Sequence, residues 1–236
     1  MNTAIDFSPK KSAHPFPQKP DSLPGLNIPE AMVEDLVLRR LYTSGTSSLK
    51  ALSQALKIPY FLVQEVFDRL RKEQFFEVKG MDGQDYHFTL SGKGQEFARK
   101  SYDICRYNGP APVSLEDYRK AVMGQTGQVA VDRSSLKGLL SELVLTEKLL
   151  DQLGPALISK NSIFIYGSTG NGKTSIVRRL TRIYEDVIAV PYAVEFDNQI
   201  IVVYDPVYHE RVETDMENLD DRWVICRRPC VIVGGE

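Results

Sequence analysis

The sequence is poor in several features that mark special classes of protein. Its three cysteines, Cys105, Cys226 and Cys230, are few and odd in number, so they do not form a disulfide framework. No apolar run approaches the roughly 18 residues that a membrane-spanning helix needs. The net charge of −2 gives no overall attraction to nucleic acid or to anionic membranes. The first residues show no basic segment followed by an apolar core, so we expect no secretory signal, no membrane partner and a cytoplasmic location.

Proline is concentrated at the start of the chain. Six prolines lie within residues 1–29: Pro9, Pro15, Pro17, Pro20, Pro24 and Pro29. Each removes a backbone N–H donor and fixes φ, which disfavours both helices and sheet strands. The composition therefore predicts a disordered or extended arm over residues 1–29, with no feature that specifies its partner.

Residues 30–105 carry the pattern of a small α+β domain. Apolar side chains recur at helical spacing over residues 30–43, 48–56 and 59–72. Pro59 can begin the third helix, because the first turn does not need its missing N–H. Strand-like runs at 75–79 and 85–90 flank the turn at 80–83, and Ser91 can cap a closing helix that ends near Cys105. This order resembles a winged helix-turn-helix domain.

The charge of this segment bears on whether it binds DNA. Residues 31–105 contain 11 Lys/Arg and 10 Asp/Glu, a net charge of +1. The third helix would be the one that reads DNA, and its outward positions mix both signs: Gln64, Glu65, Asp68, Arg69, Arg71 and Lys72. Because DNA affinity normally depends on clustered cations, protein contacts are favoured, and DNA binding is the alternative.

Residues 106–133 are predicted to be a linker with one short helix. The run from Asn108 to Pro112 is typical of a loop, and Ser114 can cap a helix that reaches Met123. Leucines from Leu136 to Leu153 then predict one longer amphipathic helix that ends at Gly154 and Pro155.

The most informative stretch fits the phosphate-binding pattern G-x-x-x-x-G-K-[ST] at every fixed position. Its candidate ligand-binding residues are Gly167, Ser168, Thr169, Gly170, Asn171, Gly172, Lys173, Thr174 and Ser175. The apolar run at 162–166 predicts a buried strand before the loop, and the spacing of Ile176, Leu180 and Ile183 predicts a helix after it.

The residue types in this stretch suit the chemistry of a nucleotide phosphate. Glycines let the backbone N–H groups approach phosphate oxygens, and the helix N-terminus adds partial positive charge. Lys173 is placed to reach the β- and γ-phosphates, and Thr174 to put its hydroxyl on Mg²⁺. We therefore expect ATP or ADP with Mg²⁺ as ligands.

This loop with its flanks resembles the start of an AAA+ P-loop ATPase module. With the N-terminal domain, the chain is similar to a poorly characterised bacterial family of winged-helix-linked AAA+ ATPases, sometimes described as predicted ATPases with chaperone activity. The resemblance implies an α/β P-loop NTPase fold for residues 134–236 and adenine near residues 154–162. It also implies a homo-oligomer or a protein client that ATP hydrolysis remodels.

The C-terminal part offers only an ambiguous acidic motif. Strands are predicted at 187–190, 192–196, 200–204 and 229–233, with a hairpin turn at 197–199. Asp205 follows an apolar run and is a candidate metal-side carboxylate, but Pro206 follows it, and Asp-Pro is also typical of a turn. Because a second acidic motif and an arginine finger are needed for hydrolysis, we expect this chain to be the N-terminal portion of an incomplete module that binds nucleotide without hydrolysing it.

Other candidate chemistry is weaker. Cys226 and Cys230 could begin a zinc site, but such a site needs four ligands and His209 is the only nearby histidine. Two functional alternatives stay open beside the ATPase: a nucleotide-gated DNA-binding regulator, and a nucleotide-binding adaptor without turnover.

Overall fold

The computed structural model describes residues 16–83, 85–125, 132–159, 161–184, 186–214 and 218–230. Over these ranges the chain is mixed α/β, with eight α-helices and three small sheets. The phosphate-loop helix belongs to a helical cluster that includes no strand residue, whereas the two C-terminal sheets share other clusters. The loop and the sheets are therefore built around different cores.

Residues 30–104 form a unit of four helices and one three-stranded sheet. Its elements are α1 (Glu30–Ser44), β1 (Thr46–Ser48), α2 (Leu49–Leu56), α3 (Tyr60–Lys72), β2 (Phe76–Asp82), β3 (Asp85–Leu90) and α4 (Gly92–Ile104). All strands are antiparallel, in the order β1-β3-β2. The predicted helices and hairpin are confirmed. The sequence did not predict β1, because three polar residues carry no apolar alternation.

Serine side chains cap two helices of this unit, and the buried ring of Phe67 joins a third helix to the sheet. Ser48 Oγ accepts the amide of Ala51 at the start of α2, and Ser91 Oγ accepts that of Gly94 at the start of α4. Such caps satisfy amides that the first helical turn leaves free. The fully buried ring of Phe67 lies 4.4 Å from that of Phe88, which joins α3 to the sheet.

The predicted disordered arm is wrong for residues 16–29. A 3₁₀ turn at Pro24–Leu26 buries Leu26 completely and Leu23 almost so, both in the core of the first unit. The amide of Lys19 donates to the carbonyl of Asn218 at 3.0 Å. Proline prevents regular structure here but does not prevent packing, since apolar residues between the prolines reach the core. Residues 1–15 lie outside the described residues.

The C-terminal β unit takes in part of the predicted linker. Its elements are β4 (Val113–Ser114), α5 (Leu115–Gly124), β5 (Val187–Pro191), β6 (Ala193–Phe196), β7 (Gln199–Val202) and β8 (Trp223–Arg227). One sheet has the order β4-β6-β7, with β4 parallel to β6, and β5 pairs with β8 in a second. The Gln125 side chain bonds both the N–H and the carbonyl of Ala189. Residues 113–125 therefore belong to the β unit, while 126–131 lie outside the described residues.

The predicted strands of this unit are partly confirmed. Strand β5 and the hairpin of β6 and β7 lie where the sequence indicates. The prediction of a strand at 229–233 is not supported at Pro229 and Cys230, which are irregular, and residues 231–233 lie outside the described residues. The last described strand, β8, lies earlier, at a segment that the sequence reading did not assign.

The phosphate loop sits in a helical unit made of α6 (Arg133–Leu139), α7 (Glu147–Ile158), α8 (Lys173–Leu180) and a 3₁₀ turn at Thr181–Tyr184. The single long helix predicted from Leu136 to Leu153 is wrong. Thr146 caps a new helix by accepting the amide of Leu149, and Pro155 lies within α7. The leucines still share one core, because both short helices turn the same apolar stripe inward.

No helix in the described ranges has the length and apolar character needed to cross a membrane.

Arg222 joins three distant segments of the chain. Its guanidinium pairs with the Asp220 carboxylate at 2.8 Å, and both side chains are 3% exposed. Its Nη1 donates to the carbonyls of Leu26 and Pro112, both at 3.0 Å. One buried cation therefore holds the N-terminal segment, the entry to β4 and the start of β8 together.

We expect Arg222→Leu to lower the free energy of unfolding by about 3–5 kcal/mol, because it leaves the buried Asp220 carboxylate without its cationic partner. Arg227→Leu is the matched control. Arg227 ends β8, is 62% exposed and pairs with Glu210 at 3.5 Å, so its loss costs less than about 1 kcal/mol. Urea unfolding of the two variants measures the difference, and equal effects contradict the prediction.

Candidate functional site

The loop before α8 has a backbone conformation that depends on glycine. Gly170 has φ of +82° and Gly172 has φ of +71°, values that other residues adopt at a cost. A Cβ added at either glycine would meet nothing within 4 Å. The space above the loop is therefore open, and an approaching anion can reach the backbone itself.

The N-terminus of α8 presents unused hydrogen-bond donors. Gly172 caps the helix without a side-chain bond, and no acidic residue lies in the first turn. Within the described part of the chain, the amides of Lys173, Thr174 and Ser175 have no acceptor, whereas that of Ile176 donates to the Gly172 carbonyl at 2.9 Å. Free amides at the positive end of a helix form an anion site.

Lys173 is folded back over the loop. Its Nζ donates to the carbonyl oxygens of Gly167 at 3.0 Å and Ser168 at 2.7 Å. The Nδ2 of Asn171 donates to Ser168 Oγ at 2.9 Å and braces the same turn. These contacts tie the ammonium group to the loop that leads into the free amides of α8. Sequence reasoning identified the residues but not the bracing role of Asn171.

The strand predicted before the loop is not formed. Residues 162–166 have no regular secondary structure and pair with no strand in the described structure. Phe164 and Tyr166 are 86% and 82% exposed, and their rings stack at 5.9 Å. A single strand is not stable by itself, because its backbone groups need a neighbouring strand. The strands that the prediction assigned to the same domain pair with one another elsewhere.

None of the described hydrogen bonds of Asp205 reaches the loop. Its carboxylate accepts the amide of Val207 at 2.9 Å, its own amide donates to His209 Nδ1 at 3.0 Å, and its carbonyl accepts the amides of Tyr208 and His209. All these partners lie within four residues of Asp205. The geometry is that of an Asp-headed turn, and it favours the turn interpretation over the metal-side one.

The charged residues of α3 are largely occupied within the protein. Arg69 pairs with Glu30 at 2.5 Å and Glu34 at 3.2 Å. The guanidinium of Arg71 lies 5.4 Å from the centre of the Tyr86 ring. Arginines engaged in this way are poor anchors for phosphate, because binding DNA would first break their existing contacts.

One cavity was not anticipated from the sequence. It has a volume of about 370 Å³ and lies between the N-terminal segment, α5 and the start of β8. Its charged and amide side chains already have partners: Asn27 bonds Asp117, Lys120 pairs with Glu116, and Arg222 is held as described above. The cavity therefore presents no convergent unpaired group to a ligand.

Comparisons with family models, with curated proteins and with solved structures found no match to this chain. The geometry of the loop itself is therefore the guide to function. Among the described residues, no three His, Cys, Asp or Glu side chains lie close enough to hold a metal ion.

The three thiols differ sharply in exposure. Cys226 is fully buried, and burial raises the pKa of its thiol to about 11, against a smaller opposing effect of Arg211. Cys230 is exposed and Cys105 is partly so. Since the thiolate is the reactive form, burial and the raised pKa both protect Cys226.

We expect two thiols of the folded protein to react with Ellman's reagent at pH 8, and the third to react only after denaturation. The Cys226→Ser variant identifies the slow thiol, since it should retain both fast reactions. Three equal rates without denaturant contradict the assignment. Protection of Cys230 by stoichiometric Zn²⁺ in the folded protein would revive the zinc-site hypothesis.

Proposed function

We propose that this chain binds Mg-ATP or Mg-ADP through residues 167–175. Two observations support the proposal: the free amides at the start of α8, and the Lys173 ammonium, which bonds carbonyls of the loop before that helix. The oxygens of a polyphosphate accept hydrogen bonds from these amides. They also replace the loop carbonyls as acceptors for the Lys173 ammonium. The positive end of α8 and the lysine charge act in the same direction, which favours a multiply charged anion.

The loop also suits a nucleotide-bound magnesium ion. Thr174 lies in the exposed first turn of α8, so its hydroxyl can serve as one metal ligand beside phosphate oxygens. Mg²⁺ usually takes one or two protein ligands and keeps several waters, so three converging carboxylates are not required. The ion would neutralise phosphate charge when bound, while the chain contributes the hydroxyl and the amide donors.

The proposal extends to an AAA+ module joined to an N-terminal winged-helix domain. The order helix, strand, two helices and two strands over residues 30–90 supports that assignment. ATP turnover that remodels a protein client, homo-oligomerisation and a cytoplasmic location belong to the same proposal. The occupied arginines of α3 support protein contacts over the alternative of a DNA-binding regulator.

Binding without turnover is the activity we assign to the chain by itself. Hydrolysis needs a carboxylate near the metal and a group that orients the attacking water. The candidate carboxylate, Asp205, is held in its own turn. In the ATPase, the missing groups would come from outside the described residues or from another subunit. If nothing supplies them, the protein is a nucleotide-binding adaptor without turnover, which is the second candidate function.

We expect Lys173→Ala to weaken Mg-ATP binding by roughly 10- to 100-fold, as expected for losing a charge-assisted contact worth about 1.5–3 kcal/mol. Isothermal titration calorimetry measures the affinity, and circular dichroism verifies the fold. Lys148→Ala is the control, because Lys148 is an exposed lysine on α7, outside the loop. A folded Lys173→Ala protein with unchanged affinity rules out the phosphate-loop assignment.

For turnover, we expect no phosphate release above background from the purified chain, and no difference between it and Asp205→Asn. Asparagine retains the side-chain oxygen that accepts the Val207 amide, so the turn persists while the charge is lost. A steady-state phosphate-release assay with excess Mg-ATP measures both proteins. Turnover that disappears in Asp205→Asn would show that Asp205 acts at the metal.

A further inference from the structure

Strand β7 is an exposed edge of the C-terminal β unit. In the sheet β4-β6-β7 its described neighbour is β6 alone, so one side of β7 is open. Ile201 and Val202 are 49% and 61% exposed, whereas Ile200 packs against the core of the first unit. Open, apolar edge strands are templates for pairing with another chain.

The alternation of bonded and non-bonded residue pairs along the hairpin shows which backbone groups of β7 face the open side. The two-residue turn has φ of +50° at Asp197 and +61° at Asn198, and the strands pair in the register Phe196–Gln199 and Glu195–Ile200. In such a hairpin the pair flanking the turn is hydrogen-bonded and the pairs then alternate. Ile200 and Val202 are therefore at non-bonded positions, and their N–H and C=O groups point away from β6.

A bond further along the hairpin agrees with this alternation. The amide of Val203 donates to the carbonyl of Tyr192 at 3.0 Å, as the alternation requires. The outer edge of β7 thus offers two N–H donors and two C=O acceptors with the spacing of a β ladder.

The surroundings of this edge are apolar and acidic. Phe196, Val207 and Tyr208 are 51%, 80% and 57% exposed. Residues 193–210 contain four carboxylates and no Lys or Arg, although the whole chain is nearly neutral at −2. The carboxylates are Glu195, Asp197, Asp205 and Glu210; Glu210 pairs with Arg227 at 3.5 Å, and the other three have no ion pair among the described residues.

This charge selects among possible occupants of the edge. A second copy paired through its own β7 would bring two acidic hairpins together, which is unfavourable. An anionic lipid surface is repelled in the same way. An extended segment with alternating apolar and basic side chains satisfies both the backbone ladder and the acidic rim.

We infer that the outer edge of β7 is a docking site for an extended, basic and apolar segment of a partner protein, which adds to the sheet as a fourth strand. The ladder bonds to Ile200 and Val202 supply affinity, and the acidic rim selects the sign of the partner's charge. The inference is independent of nucleotide binding, because the loop belongs to a different core.

The test uses a fluorescein-labelled nine-residue peptide in which Lys alternates with Val or Ile, and it measures anisotropy with the full chain at low ionic strength. We expect saturable binding, together with slowed amide hydrogen exchange at Ile200 and Val202. Two control peptides have Glu in place of Lys, or N-methyl groups on every backbone amide. Both controls should bind at least about tenfold more weakly, because they lose charge complementarity or ladder donors.

Matched variants separate the backbone from the side chain. Val202→Pro removes an outward N–H but no bond to β6, and we expect it to weaken binding about tenfold. Val202→Thr retains the N–H and the branched shape, so its affinity should stay within about threefold of the original. Asp197→Asn suits the positive φ of the turn and should weaken binding about two- to threefold, whereas Glu96→Gln on α4 should have no effect.

Several results would overturn the inference. They are equal affinity for the Lys and Glu peptides, full binding of the N-methylated peptide, protection at residues outside β7, or protection of β7 by self-association without peptide. Because the N-methylated peptide tests the ladder on the unaltered protein, the test does not depend on the folding of Val202→Pro.

Discussion

The buried pair of Arg222 and Asp220 is the interaction on which the arrangement of the chain depends. It lets the guanidinium bind carbonyls 196 and 110 residues away, at Leu26 and Pro112. A charge buried this deeply is tolerated only when its donors are satisfied, so the three segments must meet for the pair to be stable. The N-terminal segment is therefore part of the folded body and lies against the β unit. The side chain of Gln125 makes a second, smaller connection of the same kind through Ala189.

The glycine-rich loop before α8 depends on different interactions, because almost all of its contacts join residues that are close in sequence. Its glycines permit the turn, the helix after it supplies oriented amides, and Lys173 reaches carbonyls only five and six residues away. Such a site can bind an anion without a sheet beneath it. Hydrolysis needs more than these local contacts, because a metal-side carboxylate has to come from a distant part of the chain. The described bonds of Asp205 stay within its own turn, and binding and turnover are therefore assigned differently.

The two candidate surfaces of the protein are consequently of unlike chemistry. The loop concentrates positive charge and free N–H donors, whereas the hairpin of β6 and β7 concentrates carboxylates beside an open ladder. We therefore expect a phosphate to prefer the first surface and a basic segment to prefer the second. The exposed pair Phe164 and Tyr166 marks a further unpaired strand-like segment, but its flanks show no charge that selects an occupant.

What the sequence determined by itself was the structure that arises within a few residues. The serine caps at Ser48 and Ser91, the turn at Asp197 and Asn198, and the loop from Gly167 to Thr174 all depend on side chains close to the backbone they fix. Tertiary structure decided the rest. It ordered residues 16–29, assigned β8 and left 162–166 without a neighbour. These outcomes depend on contacts between distant residues. An apolar run such as 162–166 can become a strand only where a partner strand exists, and here the described strands pair with one another instead.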